Sequence, residues 1–151
     1  MIPAFSPDGF LPFGLHGASL QKIEARFGGN ARREGQLRLL REVVNAALVY
    51  PSVKRVLVWG SFVSNKAEPN DLNYSLVVGI SHPPVQVQEE HRRFLVPRDA
   101  RLFYNVDTSY LLVEDWQFEA SVGLLEFFST PRYNTRCGII EISLRGEERN
   151  A

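Results

Sequence analysis

Two apolar, β-branched runs, "VKRVLVW" over 53–59 and "LNYSLVV" over 72–78, are separated by a polar loop. The loop begins at Gly60-Ser61 and ends at Pro69-Asn70-Asp71. Runs of that length and composition predict two buried strands. The turn chemistry between them predicts neighbours in one sheet, with Gly60 opening a turn or helix and Asp71 near the mouth of the second strand. Any fold for this chain has to be arranged around that pair.

Upstream, the period is helical. A first helix is expected after Ser19, an acceptable N-cap, with Leu20, Ile23 and Phe27 on one face and Gly28-Gly29 as its stop. Asn30 caps a second helix, whose inward stripe is read as Leu37, Leu40, Val44, Ala47 and Leu48. Pro51 ends that pattern. Residues 1–17, rich in Pro and Gly, read as an irregular arm held on the body by Phe5, Phe10, Leu11 and Phe13. Downstream, 89–95 predicts a short helix bounded by Pro84 and Pro97, and 101–113 a third strand. Residues 121–129 predict a helix, 138–144 a fourth strand, and the end a charged tail. The sum is one domain over 1–151, an α+β (α/β) sandwich with a small mixed sheet packed with helices.

With 151 residues, the chain is long enough to bury a core without staples. Lys plus Arg and Asp plus Glu are 17 each, which argues against a general nucleic-acid binder. One cysteine, Cys137, rules out an internal disulfide and a Cys-rich metal site. His16, His82 and His91 lack ligand spacing. The start has no signal-peptide pattern, and no run is long enough to span a bilayer. A cytoplasmic protein is the simplest expectation.

The loop carries the chemistry. Nucleotidyl transfer needs a triphosphate held and neutralised, a task for Mg²⁺ on hard oxygen ligands. On a strand, residues two apart face the same way, so Asp71 and position 73 can share a metal. Gly60 lets backbone approach a phosphate, Ser61 adds a hydroxyl, and Lys66 can reach the same anion. Each has a plainer reading: Gly-Ser as a turn, Asp71 as a turn acceptor, Lys66 as a solvated cation. Asn73 supplies an amide oxygen but no charge, so it weakens a metal site; its plainer reading is a solvent-facing strand residue. Arg132 and Arg136 are weaker anion candidates. Trp59, Trp116 and Phe127-Phe128 read as core.

"VWGSF" and "DLNY" resemble the polymerase-beta-type nucleotidyltransferase superfamily, whose pattern is h-G-[GS], a short gap, then D-h-[DE]-h. The match holds at Gly60, Ser61 and Asp71 and fails at Asn73. The opening "IPAFSPDGFLPFGLHGASLQKIEARFGGNARR" and the late "GIIEISL" extend the likeness to a small uncharacterised prokaryotic family of nucleotidyltransferase-like domains. The resemblance implies a third carboxylate on a later strand, with Asp107 as the candidate. It also implies Mg²⁺ held by Asp71, Asn73 and Asp107, a nucleoside triphosphate on Gly60, Ser61 and Lys66, and Asp71 and Asp107 as catalytic carboxylates. With Asn73 in place, reduced or lost transfer ranks ahead of full activity. The alternative is a non-catalytic interaction module, such as an antitoxin-type or regulatory partner of another protein.

Overall fold

The computed structural model describes residues 1–79, 87–104, 106, 108–112 and 137–144. In chain order the elements are β1 (Gly14–Gly17), α1 (Leu20–Phe27), α2 (Ala31–Leu48), β2 (Val53–Trp59) and β3 (Asn73–Val78). They are followed by α3 (Arg92–Leu95), α4 (Pro97–Tyr104), β4 (Thr108–Leu112) and β5 (Gly138–Ser143). Single 3-10 turns at Ser61–Val63 and Glu89–His91 precede β3 and α3. Among the described residues the strands form one mixed sheet, ordered β1-β5-β2-β3-β4. β2 runs antiparallel to both β3 and β5; β1–β5 and β3–β4 are parallel. The architecture is an α+β sandwich.

The helices start where local chemistry tells them to. The Ser19 hydroxyl accepts from the Lys22 amide, and the Asn30 side chain accepts from the Arg33 amide at 2.9 Å. The Asn30 amide also donates to the Ala67 carbonyl at 2.7 Å, tying the head of α2 to the loop that follows β2. The apolar faces of α1 and α2, with Ile23, Phe27, Leu37, Leu40, Val43 and Ala47, cover one side of the sheet. Val56, Val58, Tyr74, Leu76, Ile140 and Ile142 meet them there. The opposite side is buried too, at Leu57, Trp59, Ser75, Val77 and Ile139. Alternate residues of β2 therefore enter two apolar environments, which is why its sequence is a nearly continuous apolar run. An ion pair within the sheet joins Arg55 on β2 to the buried Glu141 on β5 at 3.0 Å.

Three expectations change. Within the arm, Gly14–Gly17 is a strand, paired with β5 in the register Gly14↔Gly138 to Gly17↔Glu141. It has glycine at both ends and no strand-like composition, so its conformation is imposed by a partner far along the chain. Residues 101–104 belong to α4, so the third strand shrinks to Thr108–Leu112. Pro97 is the first residue of α4, where its fixed φ suits a helix start, and Asp99 sits in the first turn. The same proline read as a stop for the preceding helix is in fact also a start. Leu48 is 44% exposed, and Val43 and Ala46 take its place in the stripe. The expected helix at 121–129, with Trp116 and Phe127-Phe128, lies outside the described residues, as do His82, Arg132 and Arg136.

The rest of the arm packs on the body at Phe5, Phe10 and Leu11, whereas Phe13, expected to do the same, is 57% exposed. Leu11 is buried, and its carbonyl accepts from the Gly138 amide. Arg26 on α1 donates to the carbonyls of Ile2 and Pro3 and lies 4.4 Å from the Phe5 ring centroid. Among the described residues, no helix is long and apolar enough to cross a membrane.

Candidate functional site

β2 ends because Gly60 adopts φ 85°, ψ −161°, a region open in practice to glycine alone. The chain turns there into the 3-10 turn that Ser61 begins. Across the ladder, Trp59 is the register partner of Asn73, the first residue of β3. The two strands thus deliver Gly60 and Asn73 to the same place. A Cβ on Gly60 would lie 2.8 Å from Asn73 Nδ2, so the glycine leaves room for that amide. The nitrogen is the closest atom of the amide, which leaves the oxygen as the group further from the glycine. Asn73 is half-buried and lies against Gly60. Asp71 lies two residues earlier, also half-buried, at the mouth of β3.

The loop from Ser61 to Ala67 is held by a residue that pattern reading passed over. Arg33, in the first turn of α2, is buried. Its Nη1 donates to the carbonyls of Phe27 (3.1 Å) and Phe62 (2.8 Å), and its Nη2 to those of Ser64 (2.8 Å) and Lys66 (2.5 Å). The guanidinium lies 5.4 Å from the Phe62 ring centroid. Burial pushes its pKa below the ordinary arginine value, and no carboxylate offsets that among these contacts. Five fixed donors on one planar group suit four converging carbonyls, a task lysine cannot match. The Ser64 hydroxyl donates to the Ser61 carbonyl at 2.6 Å. The arm closes the other side: Phe10 bridges Ser64, and the Asn65 amide donates to the Gly9 carbonyl. One signal for Arg33 was available. Positions 33, 37, 40 and 44 share a helical stripe, so a charged residue there must be satisfied internally.

Not all the candidates converge. Lys66 is exposed, and its backbone is what Arg33 holds; it lines a depression with Phe5, Arg26 and Asn30. Asp71 instead borders a cleft against α2. Asp107 lies outside the described residues. Among the described residues, no group of three His, Cys, Asp or Glu side chains could hold a metal ion. Asp71 and Asn73 are hard oxygen donors of the kind Mg²⁺ takes, with a single formal charge between them.

The model of a family described as "Family of unknown function (DUF6932)" matches residues 3–143, and the chain belongs to that family. No curated protein and no solved structure matches the chain.

Proposed function

We propose that this member of the DUF6932 family carries a nucleotidyltransferase-type site with weakened metal binding. In this reading it takes a Mg²⁺–nucleoside triphosphate weakly, and nucleotidyl transfer to a hydroxyl acceptor is slow or lost. The observation that carries the reading is the approach of Asn73 to Gly60. Asp71 and the Asn73 oxygen would hold the metal. Gly60 backbone and the Ser61 hydroxyl would meet phosphate oxygens, in a loop that Arg33 keeps in place. When bound, Mg²⁺ supplies neutralisation of the triphosphate charge. Asp107 enters through the superfamily resemblance, as the residue that would orient the acceptor. A cytoplasmic setting belongs to the same proposal.

Thermal melting with ATP tests binding. At a hundredfold excess over the dissociation constant, the bound protein gains about 2.7 kcal/mol. For a domain of this size that is roughly 5–10 °C. The gain is expected with Mg²⁺ and absent with ATP plus chelator. No gain at any concentration, or an equal gain without metal, contradicts the reading.

The second reading is an interaction module of antitoxin or regulatory type. It draws on apolar side chains left on the surface: Phe13 (57% exposed) beside β1, and Leu102 and Phe103 on α4. It needs neither metal nor nucleotide, so the same melting series separates the two.

A further inference from the structure

We infer that the outer face of α4 and the acidic depression beside it form a two-fold contact surface for a second copy of this chain. The inference rests on the reading of α4 as an interaction surface and names what covers it. It is independent of the metal site.

Successive residues of α4 are turned by about 100°. Ala100 is buried, so its direction marks the core. Leu102, two residues on, lies on the opposite side of the helix and is 78% exposed. Around the helix, Asp99 and Phe103 stand on one side of Leu102, and Arg98 and Arg101 on the other. Phe103 is 66% exposed, so the two residues make a contiguous apolar crest. The flanks of this crest carry opposite charge. On the Phe103 side lies a depression of about 270 Å³, lined by Glu89, Glu90, Arg92, Arg93, Asp99 and Phe103. Arg92 is taken by Asp99 at 3.0 Å, and Arg93 lies against the Phe94 and Phe103 rings. Glu89 and Glu90 are exposed and form no ion pair among the described residues. On the other flank Arg101 is exposed and likewise forms none, while Arg98 beside it shares Asp99 at 3.5 Å.

A partner carrying one sign of charge would be repelled on one flank. A second copy of the same surface is not. A two-fold axis along α4 keeps each residue at its height and exchanges the flanks, so Arg101 of each copy meets Glu89 and Glu90 of the other. The heights agree: Arg101 lies between Asp99 and Phe103 along the helix, and those two residues bound the acidic depression. Leu102 meets its own counterpart on the axis, with a Phe103 on either side. The contact then has an apolar centre and a charged rim, as protein interfaces do. An axis across α4 would instead set Glu89 and Glu90 against their own copies, so the charges fix the two helices as parallel. Two apolar side chains per copy make a small centre, and the association is reversible and concentration-dependent.

The test is sedimentation of the full chain from about 1 to 500 µM. A monomer–dimer equilibrium is expected, weakened when salt is raised from about 50 to 500 mM. Leu102→Glu, at an exposed position that leaves folding alone, should weaken the dimer about a hundredfold. Arg101→Glu, and the double variant Glu89→Lys with Glu90→Lys, should each weaken it about tenfold. Mixed in equal amounts, these two variants should form a heterodimer about as tight as the native dimer, because both contacts again join opposite charges. A chain that stays monomeric overturns the inference. So does a dimer that Leu102→Glu leaves intact, or a mixture that associates no more tightly than its separate parts. A module for a different protein needs no self-association, so a monomeric chain sinks this inference and leaves that reading standing.

Discussion

Arg33→Met should lower stability by about 3–5 kcal/mol, because several buried carbonyls lose a charged donor at once. Methionine keeps most of the aliphatic stem and its packing on Phe62, so the loss isolates the guanidinium. Four carbonyls, those of Phe27, Phe62, Ser64 and Lys66, would lose their donor together. Each orphaned buried acceptor costs about 1–3 kcal/mol, and water entering the gap recovers part of that. The melting temperature should fall by roughly 10–15 °C. Arg33→Lys keeps the charge, but one ammonium cannot span four acceptors, so it should still cost about 2 kcal/mol or more. Hydrogen exchange would localise the effect to amides 61–67. A methionine variant as stable as the native chain would show that the network contributes no net stability and that the loop is held by the arm alone.

Gly60→Ala should cost about 2–3 kcal/mol. Backbone strain in a glycine-only region accounts for about 1–3 kcal/mol of that. The new methyl also meets Asn73 Nδ2 at 2.8 Å. That atom is the end of a side chain and can swing aside, so the clash adds little energy but moves the amide. The double variant Gly60→Ala with Asn73→Ala separates the two effects. It removes the clash and keeps the strain, so about 1 kcal/mol or less should return. Full recovery would show that contact with Asn73, and not the backbone angle, is what requires glycine.

Much of the fold was legible because its signals are local. β2 occupies the expected 53–59, and Ser19 and Asn30 cap the helices they were expected to cap. β1 was hidden because Gly14–Gly17 has no strand composition of its own; only β5, far along the chain, makes it a strand. α4 was hidden because proline can end one helix and begin the next. The site divides in the same way. Gly60 and Asn73 meet because β2 and β3 are neighbours, a relation their spacing already expresses. Arg33 went unseen because a cation paired only with carbonyls leaves no charge partner in the sequence. Lys66 was placed near phosphate by its position in the loop, and the loop carries it to a different depression.

The proposed metal site turns on position 73. Asn73 gives one negative charge fewer than the D-h-[DE]-h pattern supplies. At about 4 Å and an effective dielectric near 20, a unit charge pair is worth roughly 4 kcal/mol, and a divalent ion doubles the Coulomb term. Desolvation and repulsion between carboxylates cancel much of it, leaving an expected gain for Asn73→Asp of about 1–2 kcal/mol, roughly ten- to thirtyfold in affinity. Calorimetry of Mg²⁺–ATP binding to the native protein and to Asn73→Asp measures this directly. Weak or undetectable native binding, strengthened about ten- to thirtyfold by the substitution, is the predicted result. Equal affinities would place position 73 away from the metal, reduce the Gly-Ser to Asp spacing to a feature of the fold, and contradict the proposed site.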